Sequence, residues 1–187
     1  MKKLFFLVVA GIVMTACSNS GNKTQSTDQS EQNVVVITND LENAKGMVPG
    51  WMNENTVIAM KEQLAHSGDY ASVTNDTLMY SYYYKETVKN IKNEIPHTAV
   101  FSGWVNTTVA NPNFAIICNI DEDTLKYDWK AFPLDSLLTE TGKWVEFSAS
   151  FSFIDKPLKP EHKISIFGWN QSKKPVYIDD LKVTFLY

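Results

Sequence analysis

From Asn33 onward the apolar positions come in short runs of β-branched and aromatic residues, broken by Gly, Pro, Asn and Asp. No segment there keeps a helical period over three turns. The runs at Val34–Thr38, Thr56–Met60, Tyr70–Val73, Leu78–Tyr84, Thr98–Val109, Phe114–Ile120, Trp144–Phe153, Lys163–Trp169 and Val176–Tyr187 read as strands, and Leu125–Phe132 is a further candidate. Several alternate strictly. Trp144, Glu146, Ser148 and Ser150 fall on one face, and Val145, Phe147, Ala149 and Phe151 on the other. One short helical turn is expected at Pro133–Leu138. Nine or ten strands between 33 and 187 predict an all-β fold, a two-sheet antiparallel β-sandwich or jelly roll.

The N-terminus follows another pattern. Lys2 and Lys3 precede an apolar run from Leu4 to Met14, too short to span a bilayer, which takes about 20 residues. It ends in Met14-Thr15-Ala16-Cys17, which resembles the lipobox of bacterial lipoproteins. That resemblance implies cleavage before Cys17 and acylation of its sulfur and new amine. The protein would then be held by lipid at the cell envelope, on the outer membrane, at its periplasmic or surface face. Several acyl chains make such an anchor stable where one holds only marginally. Residues 18–32 have no large apolar side chain and read as a flexible tether reaching roughly 20 Å. The expected organisation is a signal peptide at 1–16, a lipidated cysteine and tether at 17–32, and the sandwich at 33–187.

Composition narrows the function classes. The formal charge is −4 and all seventeen basic side chains are lysine, so no nucleic-acid partner is expected. Without Lys2 and Lys3, fifteen lysines face twenty-one carboxylates. With Cys17 lipidated, Cys118 remains as a thiol inside an apolar run, a small buried hydrophobe rather than a nucleophile. The five Trp, eight Tyr and ten Phe are more than a small core usually needs.

Five local patterns, in order, resemble the jelly-roll carbohydrate-binding modules attached to bacterial polysaccharidases, of the galactose-binding-domain-like architecture. They are Ile37–Asn43 with Pro49-Gly50-Trp51, Ala65–Ala71 ("H-S-G-x-x-S"), Val100–Val105 ("S-x-W-V"), Thr141–Phe147 ("T-G-x-W-x-x-F") and Val176–Val183 ("[FY]-I-D-D-[VL]-x-V"). Asp40 and Leu41 stand where those modules usually carry Gly and Phe. By this resemblance Trp51, Trp104 and Trp144 are packing residues. Strict alternation in the last strand places Tyr177, Asp179, Leu181, Val183 and Phe185 on the apolar face and Asp180 toward solvent. A carboxylate aimed at the core must be paired or metal-bound. By resemblance, Glu42 and Asp179 with nearby carbonyls would hold a structural Ca²⁺, which prefers oxygen ligands. The alternative is that Asp179 is bonded to backbone amides or a lysine.

A sugar binder needs exposed aromatic faces. Alternation places Tyr80, Tyr82 and Tyr84 on one strand face, about 7 Å apart, either as a binding row or as half of the core. Trp129, flanked by charges, and Trp169, beside the amide of Asn170, are the preferred platforms. Asn106, Asn119, Asn170 and Gln171 are candidate hydrogen-bonding partners. Catalysis is not expected: the three histidines have no metal-ligand spacing, no nucleophile elbow or phosphate loop is present, and Asp121-Glu122-Asp123 reads as a solvated turn. The expected function is capture of a polysaccharide or oligosaccharide without chemical change. The alternative is a structural lipoprotein of the same fold with an envelope protein as partner. Asp76-Thr77-Leu78, Asp123-Thr124-Leu125 and Asp135-Ser136-Leu137 each resemble the D-[ST]-aliphatic O-glycosylation acceptor of Bacteroidetes.

Overall fold

The computed structural model describes residues 33–60 and 64–187. The expected signal peptide, the expected lipid site at Cys17 and the expected tether lie outside them. Among the described residues eleven strands form two antiparallel sheets. They are β1 (Val34–Asn39), β2 (Trp51–Met52), β3 (Val57–Ala59), β4 (Tyr70–Thr74), β5 (Tyr83–Thr87), β6 (Thr98–Thr107), β7 (Phe114–Glu122), β8 (Leu125–Pro133), β9 (Val145–Ser152), β10 (Lys163–Asn170) and β11 (Val176–Leu186). The six-stranded sheet runs β3-β4-β11-β6-β9, with β1 joining β11 beyond the end of β4. The five-stranded sheet runs β2-β5-β10-β7-β8. A single-turn helix, α1 (Val88–Ile91), follows β5 and was not legible from periodicity.

The sheets close on one apolar layer. Ala99, Phe101 and Val105 of β6 and Phe147, Ala149 and Phe151 of β9 face Phe114, Ile116, Cys118 and Ile120 of β7 and Ile164 and Ile166 of β10. Fully burying a side chain such as Phe101 contributes about 1.5–3 kcal/mol, so this layer supplies most of the driving force. Cys118 is fully buried and its thiol is pushed far up by burial, as a structural cysteine requires. Leu134 and Leu138 anchor the expected turn in this core, the latter's N–H bonding the former's carbonyl. Leu41 is buried too, its N–H held by Asn39 Oδ1.

Two irregularities overturn the faces expected from alternation, and a third, between β7 and β8 at Ile120/Asp121, lies at the end of the five-stranded sheet. In β11 the register with β6 shifts between Asp179 and Lys182: Asp179 pairs with Trp104 and Lys182 with Ser102. Three steps along β11 answer two along β6, a bulge of one residue. Asp180 takes φ 49° there. The strand opposite carries Gly103, whose Cβ would lie 2.8 Å from the Asp179 carbonyl oxygen, so the bulge needs glycine as neighbour. The extra residue reverses alternation. Val176 and Ile178 point inward before it, and Leu181, Val183 and Phe185 after it. Asp179 therefore lies on the outer face, not toward the core as strict alternation predicts.

The second irregularity splits the expected Leu78–Tyr84 strand. Tyr80 bridges Trp169, but Ser81 turns its hydroxyl into the ladder, accepting from Gly168 N–H at 2.8 Å and donating to the Tyr82 carbonyl at 2.8 Å. The Tyr82 N–H leaves the sheet and donates to Ser72 Oγ on β4 at 2.8 Å. Regular pairing resumes only at Tyr83.

Candidate functional site

The outer face of the five-stranded sheet follows from its registers. Tyr83, Phe167, Ile117 and Ala131 form one row, and Lys85, Ser165, Asn119 and Trp129 the next. Trp169 and Tyr80 stand beyond the first row, joined by their bridge. The aromatic rings meet edge to face, a favoured arrangement. Trp129 and Trp169 have centroids 6.1 Å apart at 80°, Tyr80 and Phe167 5.4 Å at 87°, and Tyr83 and Phe167 6.1 Å at 65°. Trp129 is 42% exposed and Tyr80 45%, whereas Trp169, Phe167 and Tyr83 are half-buried.

Two adjoining hollows of about 350 and 300 Å³ lie over these rings and share Tyr80, Asn119 and Phe167. From β5 to β8 the surface spans three interstrand spacings, about 14 Å, long enough for a short oligosaccharide. Polar groups sit between the rings. Asn119 Nδ2 donates to Asp121 Oδ1 at 2.9 Å, which fixes the amide and leaves its carbonyl oxygen open. Asn53 Nδ2 donates to the carbonyls of Tyr80 (2.8 Å) and Ser81 (3.1 Å), holding the loop that presents Tyr80.

The structure thus brings Trp129, Trp169 and Tyr80 together, and corrects three other expectations. Tyr82 and Tyr84 are core residues, 1% and 3% exposed, packed on Trp51 by stacking (5.6 Å, 9°) and edge-on (5.6 Å, 72°). Burial raises both phenol pKa values. The break at Ser81 put Tyr82 and Tyr84 on the opposite face from Tyr80. Asn170 is also buried: its Nδ2 donates to Thr74 Oγ1 and the Lys174 carbonyl, and its Oδ1 accepts from Ser172. It shapes the turn after β10 and cannot reach a ligand. Asn106 lies on the other sheet. Phe167 and Tyr83 belong to the site instead. The alternation Ser165-Ile166-Phe167-Gly168-Trp169 already placed Phe167 beside Trp169. Asp121, read as a turn residue, is in β7 and lines the first hollow, while Glu122 pairs with Lys159.

The other outer face is built differently. Trp104 and Trp144 stand outward there, half-buried, and do not join the sandwich core, whereas Trp51 does. The His66 ring stacks on Trp104 at 3.9 Å and 12° and meets Trp144 edge-on at 5.9 Å. Trp144 Nε1 donates to the Leu64 carbonyl. His66 Nδ1 donates to Asp180 Oδ2 at 2.6 Å, and Ser67 Oγ to Asp180 Oδ1 at 2.7 Å. The stretch from Leu64 to Gly68 thus lies over both tryptophans as a lid made of the chain itself.

That stretch also answers whether Glu42 and Asp179 fit a shared Ca²⁺. Asp179 Oδ2 accepts the N–H groups of His66 (2.9 Å) and Ser67 (3.2 Å), and Oδ1 accepts Asp180 N–H (2.7 Å). Glu42 Oε1 accepts Asp69 and Tyr70 N–H, each at 3.0 Å. Gly68, at φ +56°, leaves the room in which the Glu42 carboxylate sits. Backbone N–H groups bond to both Asp179 oxygens and to Glu42 Oε1, and no group of three His, Cys, Asp or Glu among the described residues is placed to hold a metal. The donor set does not fit the ion. It fits the other reading, carboxylates bonded to amides. Burial, with Asp180 alongside, pushes the Asp179 carboxyl up to about 6 despite the three N–H bonds.

The sequence matches no known family profile and no curated protein. Solved structures do share the fold. A CBM22-1–GH10 fragment of the xylanase Xyn10B from Clostridium thermocellum, in complex with xylohexaose, superposes with a TM-score of 0.50 at 16% identity, covering 80% of this chain and 28% of that one. The CBM22-1 xylan-binding domain of Xyn10C from Paenibacillus barcinonensis gives 0.46 at 15% identity, covering 80% and 93%. A Stig cyclase from Fischerella sp. TAU gives 0.46 at 8% identity, covering 81% and 98%. At these identities the likeness is one of fold: the chain has the β-sandwich found in carbohydrate-binding modules, a scaffold that also serves other ends.

Proposed function

We propose that this chain is a non-catalytic glycan-binding module, held at the bacterial cell envelope by lipid on Cys17, and that it grips its ligand on the outer face of the five-stranded sheet. One observation carries the reading: Trp129, Trp169, Phe167, Tyr80 and Tyr83 form an open aromatic surface with amide and carboxylate groups between the rings. Such a surface matches a sugar, whose C–H faces pack on rings while its hydroxyls seek hydrogen bonds. A fold shared with part of a CBM22-1–GH10 xylanase fragment that was solved in complex with xylohexaose supports the reading without fixing the ligand.

The same surface argues against hydrolysis. Glycoside hydrolysis uses two carboxyl groups flanking the scissile bond. Among the described residues Asp121 is the one carboxylate lining the two hollows. The lipobox at Met14–Cys17 supports the anchor. Affinity electrophoresis through gels containing plant, host and microbial polysaccharides tests the binding claim. Retardation by at least one is expected. Free migration through all would overturn it and turn attention to an envelope protein as partner.

A further inference from the structure

The aromatic surface does not end at its last ring. Past the row of Lys85, Ser165, Asn119 and Trp129 lies the row Thr87, Lys163, Asp121 and Lys126, reached on β8 across a one-residue register shift between Ile120 and Asp121. Lys85, Lys126 and Lys163 therefore flank a single carboxylate, Asp121, at one end of the groove. Among the described residues none of the three has a carboxylate within 4.0 Å, as is also true of Lys45, Lys89, Lys173, Lys174 and Lys182, whereas Lys92, Lys130, Lys143, Lys156 and Lys159 are paired. What sets these three apart is that they gather at one end of the groove. Asp121 is not free to neutralise them fully, since its Oδ1 already accepts from Asn119. Lys126 instead leans toward the platform, its Nζ 6.0 Å from the Trp129 ring. The imbalance is local: the chain as a whole is acidic, at −4. At the boundary between rings and lysines stands Ser165, 5% exposed, whose hydroxyl has no hydrogen-bond partner among the described residues although it lines the hollow. Its hydroxyl opens to that hollow and is available to a polar ligand group.

We propose, resting on the glycan reading above, that the ligand is an anionic glycan. Its sugar rings lie over Trp129, Trp169, Phe167 and Tyr80, and a carboxylate or sulfate points to Lys85, Lys126 and Lys163. The negative remainder of the surface repels a polyanion elsewhere, so the basic end also sets the direction in which the chain lies.

The probes are polygalacturonate, hyaluronan and chondroitin sulfate. Each is paired with its neutralised form, the first two carboxyl-reduced and the third carboxyl-reduced and desulfated, and xylan and β-glucan serve as neutral references. Retention by at least one acidic glycan is expected, about tenfold tighter than by its neutralised form, from three exposed ion contacts. Partial neutralisation of chondroitin sulfate, one group at a time, tells carboxylate from sulfate. Raising the salt should erase the difference. The variant Lys85→Gln/Lys126→Gln/Lys163→Gln should lose the preference and keep the wild-type melting temperature. Equal binding of acidic and neutralised forms, retention by neutral glycans alone, or an unchanged preference in the variant would each overturn the inference and leave glycan binding standing. Free migration with every glycan, acidic and neutral, would remove both.

Discussion

The two outer faces of this sandwich carry similar residues and come to opposite ends. Each presents two tryptophans with amides and carboxylates nearby. On the six-stranded sheet, Trp104 and Trp144 are covered by the chain's own His66, which fills the stacking position at 3.9 Å. Asp179 and Asp180 hold that cover down through backbone and side-chain bonds to residues 66 and 67. On the five-stranded sheet no described segment crosses Trp129 and Tyr80, and a groove stays open among the described residues. Aromatic content alone therefore does not make a binding face. What decides is whether the chain has already supplied the stacking partner.

If the covered face is structural, breaking its clasp should cost stability and nothing else. Asp179→Ala leaves three N–H groups without their acceptor and should destabilise the protein by about 3 kcal/mol in denaturant unfolding, with glycan affinity unchanged. If the open face is functional, the reverse should hold. Trp129→Ala/Trp169→Ala should weaken glycan retention about 100-fold, the loss of two aromatic contacts, while unfolding shifts by no more than about 1–2 kcal/mol.

The clasp should also respond to pH. The Asp179 carboxyl titrates near 6 in the folded protein, above its ordinary 3.8. Between those values the folded state holds the extra proton, so this group's contribution to stability falls as pH rises from about 4 to about 6 and is level above that. Comparing unfolding of the wild type and Asp179→Asn across this window should show a decline in the wild type that the variant lacks. Glycan affinity should not follow it.

The smallest effect is expected at Tyr82. Its hydroxyl meets only Asn39, at 3.5 Å, so Tyr82→Phe should change stability by less than about 0.5 kcal/mol and leave glycan retention as it was. A loss of retention there would mean that the ligand enters the core side of the strand, contrary to the distinction drawn between the faces.

Both misplacements read from the sequence have one physical origin. Alternation along β9 put Phe147, Ala149 and Phe151 on one face correctly because nothing interrupts that ladder, whereas Trp104 and Trp144, read as packing residues from the resemblance, stand outside the sandwich core. In β11 the extra residue at Asp180 reversed the count, and Asp179 moved from an expected core position to the outer face. Before β5, the Ser81 hydroxyl displaced a backbone bond and sent Tyr82 and Tyr84 inward. A period-two pattern carries no signal for a one-residue slip, whose cause lies across the sheet at Gly103 and Gly168. The sandwich, its strands and the Trp129–Trp169 pair were legible because they depend on composition and spacing along one strand. The basic end of the groove was not. It arises only when Lys85, Lys126 and Lys163, from three separate strands, are brought into register.

The five tryptophans make the central claim directly measurable, since each indole N–H gives its own NMR signal. Titration of ¹⁵N-labelled protein with a polysaccharide that retards it in affinity gels should move the Trp129 and Trp169 signals in a saturable way, leaving Trp51, Trp104 and Trp144 in place. Shifts confined to Trp104 and Trp144, or none at all, would contradict the assignment of binding to the five-stranded sheet.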